Sequence, residues 1–253
     1  MKTIDINCDL GESFGVYKLG LDAEIMPYIS SANVACGFHA GDPMIMVQTV
    51  RSAKKNRVAV GAHPGYSDLA GFGRRNMDML PDEIEGMLLY QIGALAGICQ
   101  AEGVELIHVK PHGALYNRAA RDRSLAAVVA RAVSRFSKEL VLVGLAGSLL
   151  VEEGKAAGLK VIAEGFADRV YEKDGSLRSR SLPGAMLDTP DAVAQHGLEL
   201  AKRGVTTQVN GDVIHWDIQT ICVHGDEPNA VENVRKLNST LIKYYLIKNK
   251  YLK

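Results

Sequence analysis

The sequence predicts an α/β fold: a single domain over residues 1–253 in which seven parallel strands and their helices close, or nearly close, into a β/α barrel. Three observations predict it. Short β-branched or apolar runs alternate with segments of helical period from one end of the chain to the other, the sign of repeated βα units around a parallel sheet. No linker or low-complexity tract divides the 253 residues, and 47% of them are hydrophobic, enough for a large core. Seven such units in one uninterrupted run favour closure over an open, doubly wound sheet.

Each element follows from its local pattern. In the first strand, Thr3–Asp9, the side chains of Asp5, Asn7 and Asp9 share one face while Ile4, Ile6 and Cys8 take the other. The second strand, Asn33–His39, groups Asn33, Ala35, Gly37 and His39. It runs into Asp42-Pro43, a capping side chain followed by proline at the first helical position, which starts a helix over Asp42–Lys55. The third strand, Val58–His63, sets Ala59, Gly61 and His63 together, then leads through the glycine-rich loop Gly65–Arg75 to a helix over Pro81–Glu102. In the fourth, Leu106–His112, His108, Lys110 and His112 oppose Ile107 and Val109, and a helix over Arg123–Phe136 follows. The fifth strand, Leu140–Gly144, precedes a helix over Ser148–Ala157. The sixth, Lys160–Asp168, groups Glu164, Phe166 and Asp168 ahead of a long loop, Lys173–Ala185. Thr189-Pro190 repeats the cap-and-proline start for a helix over Thr189–Arg203. The last strand, Thr220–His224, carries Cys222 and His224, and a final helix from Asn229 to Lys248 has a lysine-rich end suited to its dipole.

Composition removes several partners. Lysine plus arginine equals aspartate plus glutamate at 29 each, so no net field selects nucleic acid or an anionic membrane. The N-terminal residues lack the apolar run of a signal peptide and no other segment reads as a membrane span, so a soluble, cytoplasmic protein is expected. Cys8, Cys36, Cys99 and Cys222 form no CxxC pair and read as small buried residues in a reducing compartment; Cys36 is the one that falls in the chemically dense stretch NVACGFHAGDP, Asn33–Pro43.

Polar and apolar faces separate cleanly in these strands, and small residues precede the polar tips. Apolar faces turned to the helices would turn the tips into the barrel mouth, where charges need partners or water. Histidines His39, His63, His112 and His224 stand at corresponding strand ends, whereas His196 within a helix and His215 beside Trp216 read as structural. Asp42 reads as a helix cap and Glu164 as a partner for a nearby lysine. The carboxylates Asp9, Glu12 and Asp168 can act as bases or hold a metal, and the histidines can move protons near neutral pH. Lys110 and Arg169 can bind an oxyanion, carboxylate or phosphate, as can Arg74 and Arg75 in the glycine-rich loop. Asp9, His39 and His63 offer a divalent ion three ligands with open positions. Hydrolysis or acyl transfer suits such a mouth, and the absence of a GxSxG elbow and of a GxxxxGK[ST] loop disfavours a serine hydrolase or a self-contained P-loop ATPase.

Seven motifs in order, NCDLGE (Asn7–Glu12), SANVACGFHAGDP (Ser31–Pro43), GAHPGYSDLAGFGRR (Gly61–Arg75), HVKPHGALYN (His108–Asn117), VGLAGS (Val143–Ser148), FADRVY (Phe166–Tyr171) and CVHGD (Cys222–Asp226), resemble the LamB/YcsF family of 5-oxoprolinase subunits. The resemblance runs through nearly the whole chain and stops short of the lysine- and tyrosine-rich tail from 243 to 253. It departs after HGD, where Glu227-Pro228 replaces a glycine frequent in the family, which shifts the weight from Asp226 to His224. The resemblance implies a distorted seven-stranded barrel similar to the glycoside hydrolase/deacetylase superfamily. It also implies ATP-dependent opening of 5-oxoproline to L-glutamate in a complex with two further subunits, B and C. ATP is then a consumed co-substrate, and a divalent metal is left open.

A five-membered lactam is a resonance-stabilised amide, so phosphorylation of its carbonyl oxygen would make an imidate that water can attack. On this reading Asp9 or Glu12 positions water, His39 and His63 move protons, and Lys110 with His112 neutralises phosphate. Arg74, Arg75 or Arg169 holds the substrate carboxylate, with Asn7, Asn33, Asp168 and His224 completing the binding set. Two alternatives stand beside it. A metal-dependent deacetylase or amidohydrolase acting alone would retain stoichiometric metal, and a non-catalytic lactam-binding subunit would bind 5-oxoproline without needing Asp9 or the histidines.

Overall fold

The computed structural model describes residues 2–187, 189–207, 213–225 and 229–248. Six staves follow in sequence: β1 (Lys2–Leu10), β2 (Ser31–Ala35), β3 (Ala59–His63), β4 (Leu106–Val109), β5 (Val141–Leu145) and β6 (Lys160–Phe166), each parallel to the next. A short antiparallel hairpin of β7 (Val205–Thr207) and β8 (Val213–His215) then intervenes. The seventh stave, β9 (Thr220–Cys222), closes the barrel by pairing with β6 on one side and with Asp5–Asn7 of β1 on the other.

Helices link the staves: α1 (Asp22–Ile25), α2 (Pro43–Asn56), α3 (Pro81–Glu102), α4 (Gly113–Ala119), α5 (Arg123–Phe136), α6 (Leu149–Ala156), α7 (Pro190–Arg203) and α8 (Ala230–Leu241). Their starts follow the sequence signals. Asp42 accepts from Met44 N and Ile45 N at 2.8 and 3.0 Å with Pro43 behind it, and Thr189 and Ser148 cap α7 and α6 likewise. The outward faces of the staves, such as Ile4, Ile6 and Cys8 of β1, are buried beneath this shell.

α3 is long and apolar enough to cross a membrane by length and composition alone. Here it covers the barrel. Leu88, Ile92 and Leu95 are fully buried, each worth roughly 1.5–3 kcal/mol of burial. Glu85 on α3 is gripped by Arg131 and Arg135 of α5.

The structure departs from the expected elements at the short helix α1 and the β7–β8 hairpin, for which no element is expected, and in three further places. α4 lies where no helix is expected, because seven residues without a capping side chain at His112 are too few to show a period. The last helix ends at Leu241 rather than Lys248, and Tyr245–Ile247 forms β10, parallel to Lys2–Ile4. The cause is length: β9 spans three residues of the nine-residue β1, leaving the first part of that edge open for β10. Finally, the ladders stop short of the polar tips, at Ala35, Val109, Phe166 and Cys222. Beyond the ladders, side chains take over part of the backbone's bonding: His63 binds the carbonyl of Lys110, and Asp168 accepts from His224 N. Asp226 and the stretch Glu227-Pro228 lie outside the described residues, as does the tail beyond 248.

Candidate functional site

The inward faces of the staves build two tiers of polar side chains. In the lower tier, Asp5 accepts hydroxyl bonds from Ser30 and Ser31 at 2.6 and 2.7 Å and a further short one from Thr220. Asn7 donates to Glu164 Oε1 and Thr220 Oγ1 at 2.8 and 2.7 Å, and its own Oδ1 accepts from Asn33 at 2.7 Å. Asn33 Oδ1 receives His108 Nε2 at 2.8 Å, and Tyr116 donates its hydroxyl to Glu164 Oε2 at 2.7 Å. Gly61 is required at its position: a Cβ there would fall 2.1 Å from the His108 ring. Burial, followed by the charge on Lys110, pushes His108 down to about 3, so its ring is neutral.

Lys110 joins the tiers. Its Nζ lies 3.0 Å from Asp9 Oδ1, 2.9 Å from Glu164 Oε1, 3.1 Å from Cys222 Sγ and 3.3 Å from Asn7 Oδ1. Burial alone would push this ammonium down, but Asp9, Cys222 and Glu164 together hold it well above the usual lysine value. Burial likewise opposes ionisation of Asp9, and His63 and Lys110 outweigh it, so its carboxyl lies well below the usual range. Glu164 therefore pairs with a lysine, as its position suggests.

The upper tier holds Glu12, His39, His63 and His112, all buried. His63 Nδ1 donates to the Lys110 carbonyl at 2.7 Å and His112 Nε2 to the Phe72 carbonyl at 2.8 Å. The other two nitrogens, His63 Nε2 and His112 Nδ1, face each other at 2.9 Å, and Asp9 Oδ2 lies 3.3 Å from the former. His39 stacks flat on His112, with centroids 3.7 Å apart, and is 1% exposed; among the described residues neither of its ring nitrogens has a hydrogen-bond partner. Glu12 stands 3.8 Å from His39 Nε2 and 3.9 Å from His112 Nδ1. Burial, and after it the neighbouring histidines, push His39 and His112 well below the usual imidazole value. Gly65 and Gly73 leave room for the stacked pair, since a Cβ at either would lie 2.7 Å from His39.

A cavity of about 430 Å³ opens over these groups. Asp9, Glu12, His63, Lys110, His112 and His224 line it, together with Arg74, Arg169 and Arg180. Phe166 stacks on His224 with centroids 5.5 Å apart, and Asp168 fixes that ring by accepting from both its backbone N–H and its Nδ1 at 2.8 Å. Arg169 donates to the Arg178 carbonyl at 2.5 Å, and burial, then Arg180, lower it to about 10. Its Nε is buried with no hydrogen-bond partner among the described residues.

Not every expected residue reaches this cavity. Arg75 does not: it pairs with Asp68 in its own loop with 66% of its side chain exposed, because the turn at Gly73, with φ of +62°, separates its direction from that of Arg74. Asn7 and Asn33 lie beneath the cavity with every amide atom engaged in the lower tier, and Asp168 stands behind His224. Residues not foreseen include Tyr116, placed by α4, and Arg180, carried in by the loop Lys173–Ala185, whose serine- and arginine-rich run SLRSRS was the available signal. Cys36 donates to the Val34 carbonyl at 3.1 Å, and burial pushes its thiol up to about 12, so it is no nucleophile at neutral pH.

Residues 4–248 match the profile of the LamB/YcsF family. Over 95% of its length the chain is 54% identical to the A subunit of 5-oxoprolinase from Symbiobacterium thermophilum, covering 92% of that protein. It is 55% identical to the corresponding 5-oxoprolinase A subunit of Pyrococcus furiosus over 90% of each chain. The lactam utilization protein of Thermus thermophilus superimposes with a TM-score of 0.92 at 44% identity, over 98% of this chain and 99% of that one.

Proposed function

The chain belongs to the LamB/YcsF family, and we propose that it is the lactam-opening subunit of an ATP-dependent 5-oxoprolinase, working in the cytoplasm with subunits B and C. The observation that carries this reading is identity above one half, over nine-tenths or more of the chain, to proteins named as the A subunit of 5-oxoprolinase. The site supports it chemically: one cavity joins a carboxylate, an ammonium, imidazoles and guanidinium groups, the set needed to open an activated amide.

In this reaction the lactam oxygen takes the γ-phosphoryl group of ATP, releasing ADP. Water adds to the imidate carbon, and the ring C–N bond breaks as nitrogen takes a proton, leaving an acyl phosphate. A second water releases phosphate and glutamate. The sequence holds no phosphate loop, so the partner subunits supply the phosphoryl group and this barrel receives the activated ring.

Arg74, Arg169 and Arg180 hold the substrate carboxylate and the transferred phosphate, Arg169 with a buried Nε that has no other partner among the described residues. Lys110 stands where negative charge develops on oxygen, and Asp9 with the Glu12, His39, His63 and His112 group handles water and protons. The test is reconstitution. Mixing this chain with purified subunits B and C, 5-oxoproline and ATP should yield glutamate and ADP in equal amounts, and no turnover when any component is omitted. Glutamate formed by this chain alone, or ADP formed without glutamate, overturns the assignment.

A further inference from the structure

The contact between His63 and His112 is left without an N–H of a neutral ring. Each ring spends one N–H on a backbone carbonyl, His63 Nδ1 on Lys110 and His112 Nε2 on Phe72. What remains is His63 Nε2 and His112 Nδ1, 2.9 Å apart, with Asp9 Oδ2 3.3 Å from the former. Either a further proton on one ring, held against Asp9, or a cation beside both rings completes the contact. An imidazole N–H held by a backbone carbonyl is also the arrangement that fixes the tautomer and direction of a metal-ligating histidine. His39 adds an independent sign: a ring 1% exposed, with neither nitrogen hydrogen-bonded among the described residues, stacked beside the same pair.

We infer that Glu12, His39, His63 and His112 form a binding site for one borderline divalent transition ion of the zinc class. One donor atom from each lies within 4.8 Å of the others. Nitrogens about 2.0–2.1 Å from a tetrahedral zinc stand roughly 3.4 Å apart, and the separations of 2.9, 3.8 and 3.9 Å among these donors bracket that spacing. Three imidazoles and one carboxylate suit zinc, cobalt or nickel over the hard ions magnesium and calcium, which take oxygen ligands. A second group, Asp9, Cys222 and His224, also gathers donors. There the cation is already present, because Lys110 Nζ sits 3.0 Å from Asp9 and 3.1 Å from Cys222 Sγ. Glu12, His63 and His112 line the cavity while His39 does not, so the ion would be closed on the His39 side and open toward substrate. In that place it would supply Lewis-acid or water-activating chemistry.

The test reads binding rather than turnover, so it stands or falls independently of the proposed reaction. The full chain, stripped with chelator and dialysed, is titrated with Zn²⁺ and with Mg²⁺ by calorimetry, and with Co²⁺ by visible absorption. Expected are one Zn²⁺ per chain, no saturable Mg²⁺ binding, and the intense d–d bands of a low-coordinate Co²⁺ site. Losing a group that merely orients a metal ligand costs about 10–100-fold in affinity, so loss of a ligand itself, in His39→Gln or His63→Gln, should weaken Zn²⁺ by about 100-fold or more. Cys222→Ser should leave it unchanged. Glu12→Gln, which keeps shape, serves if a histidine variant fails to fold by circular dichroism, and should also weaken binding. Absence of saturable Zn²⁺ and Co²⁺ binding by the folded chain overturns the site, as does binding that survives the His39 and Glu12 changes or that is lost in Cys222→Ser.

Discussion

Both polar tiers inside the barrel are buried, yet the lower one is bonded almost to saturation and the upper one is not. Asp5, Asn7, Asn33, Glu164 and Thr220 give each other nearly every donor and acceptor they own, and the exception is the single nitrogen His108 Nδ1. One layer above, His39 has both nitrogens without hydrogen-bond partners among the described residues, and His63 Nε2 and His112 Nδ1 face each other at 2.9 Å. A buried polar group that lacks a bond costs about 1–3 kcal/mol. The lower tier offsets that cost by bonding within itself and holds the staves in register; the upper tier leaves it standing at His39, where the inferred ion would relieve it.

The largest expected effect separates the tiers by activity. His63→Ala or Asp9→Asn should lower turnover of the reconstituted enzyme by about 10²- to 10⁴-fold, the range for a positioned acid or base. Steady-state assays with folding verified by circular dichroism check it. Turnover within a few-fold of the parent in His63→Ala would mean that the upper tier is architecture too, and the same result in Asp9→Asn would confine the carboxylate beside Lys110 to the fold.

Stability should respond in the opposite pattern. Glu164 is 0% exposed and binds Lys110, Asn7 and Tyr116 at once, so Glu164→Gln strips one charge from a buried pair. Breaking such a pair from one side costs about 3–5 kcal/mol, to be read as a fall in the urea midpoint at constant m-value. A loss under about 1 kcal/mol, the net worth of an ordinary hydrogen bond, would show that the lower tier does not brace the barrel.

Asp168 stands between the two cases: Oδ2 takes two bonds from His224, while Oδ1 is buried without one among the described residues. Burial opposes its ionisation, but His224, through charge and hydrogen bonds, carries it down to about 2 from an ordinary 3.8. A depressed carboxyl stabilises the fold above its unfolded pKa and loses that contribution as pH falls through the folded value. At about 1.4 kcal/mol per unit this amounts to roughly 2 kcal/mol, lost between about pH 4 and pH 2. Urea unfolding across that window should show the acid loss in the parent and a flatter limb in Asp168→Asn. Identical limbs would remove the His224 pairing as a stabilising contact.

How much of this was legible in the sequence depends on how far a residue's partner lies along the chain. Alternation in Thr3–Asp9 places Asp5, Asn7 and Asp9 inward, and the bounds of α3 and α5 fall where the helical period puts them. The division into tiers is invisible at that range, because both tiers show the same polar residue at every second position. Whether Asn7 is satisfied is decided by Glu164 and Thr220, 157 and 213 residues away. Arg74 and Arg75 are neighbours in sequence with the same chemistry, and only the path of the loop sends one to the cavity and the other to Asp68. Arg180 enters for the converse reason, carried by a loop with no period to read.

The smallest expected effect concerns Asp42, the part of the chemically dense stretch NVACGFHAGDP that sequence assigns to structure alone. Its Oδ1 accepts from Met44 N and Ile45 N, and its Oδ2 from Gly15 N at 2.7 Å, so both oxygens are occupied by backbone donors. That is the condition of the lower tier, met here by local chain instead of by distant staves. Asp42→Ala should therefore cost about 0.5–2 kcal/mol, the range for a lost N-cap, while Asp42→Asn recovers most of it and both variants keep turnover within about twofold. Pro43 presets the first helical φ, which keeps the helix start in place and the loss near the lower end. A hundredfold fall in turnover in a fully folded Asp42→Ala chain would show that this cap serves the chemistry as well as the helix. In that event Gly15 and the loop it anchors, four residues beyond Gly11 and beside Glu12, would have to be counted as part of the site.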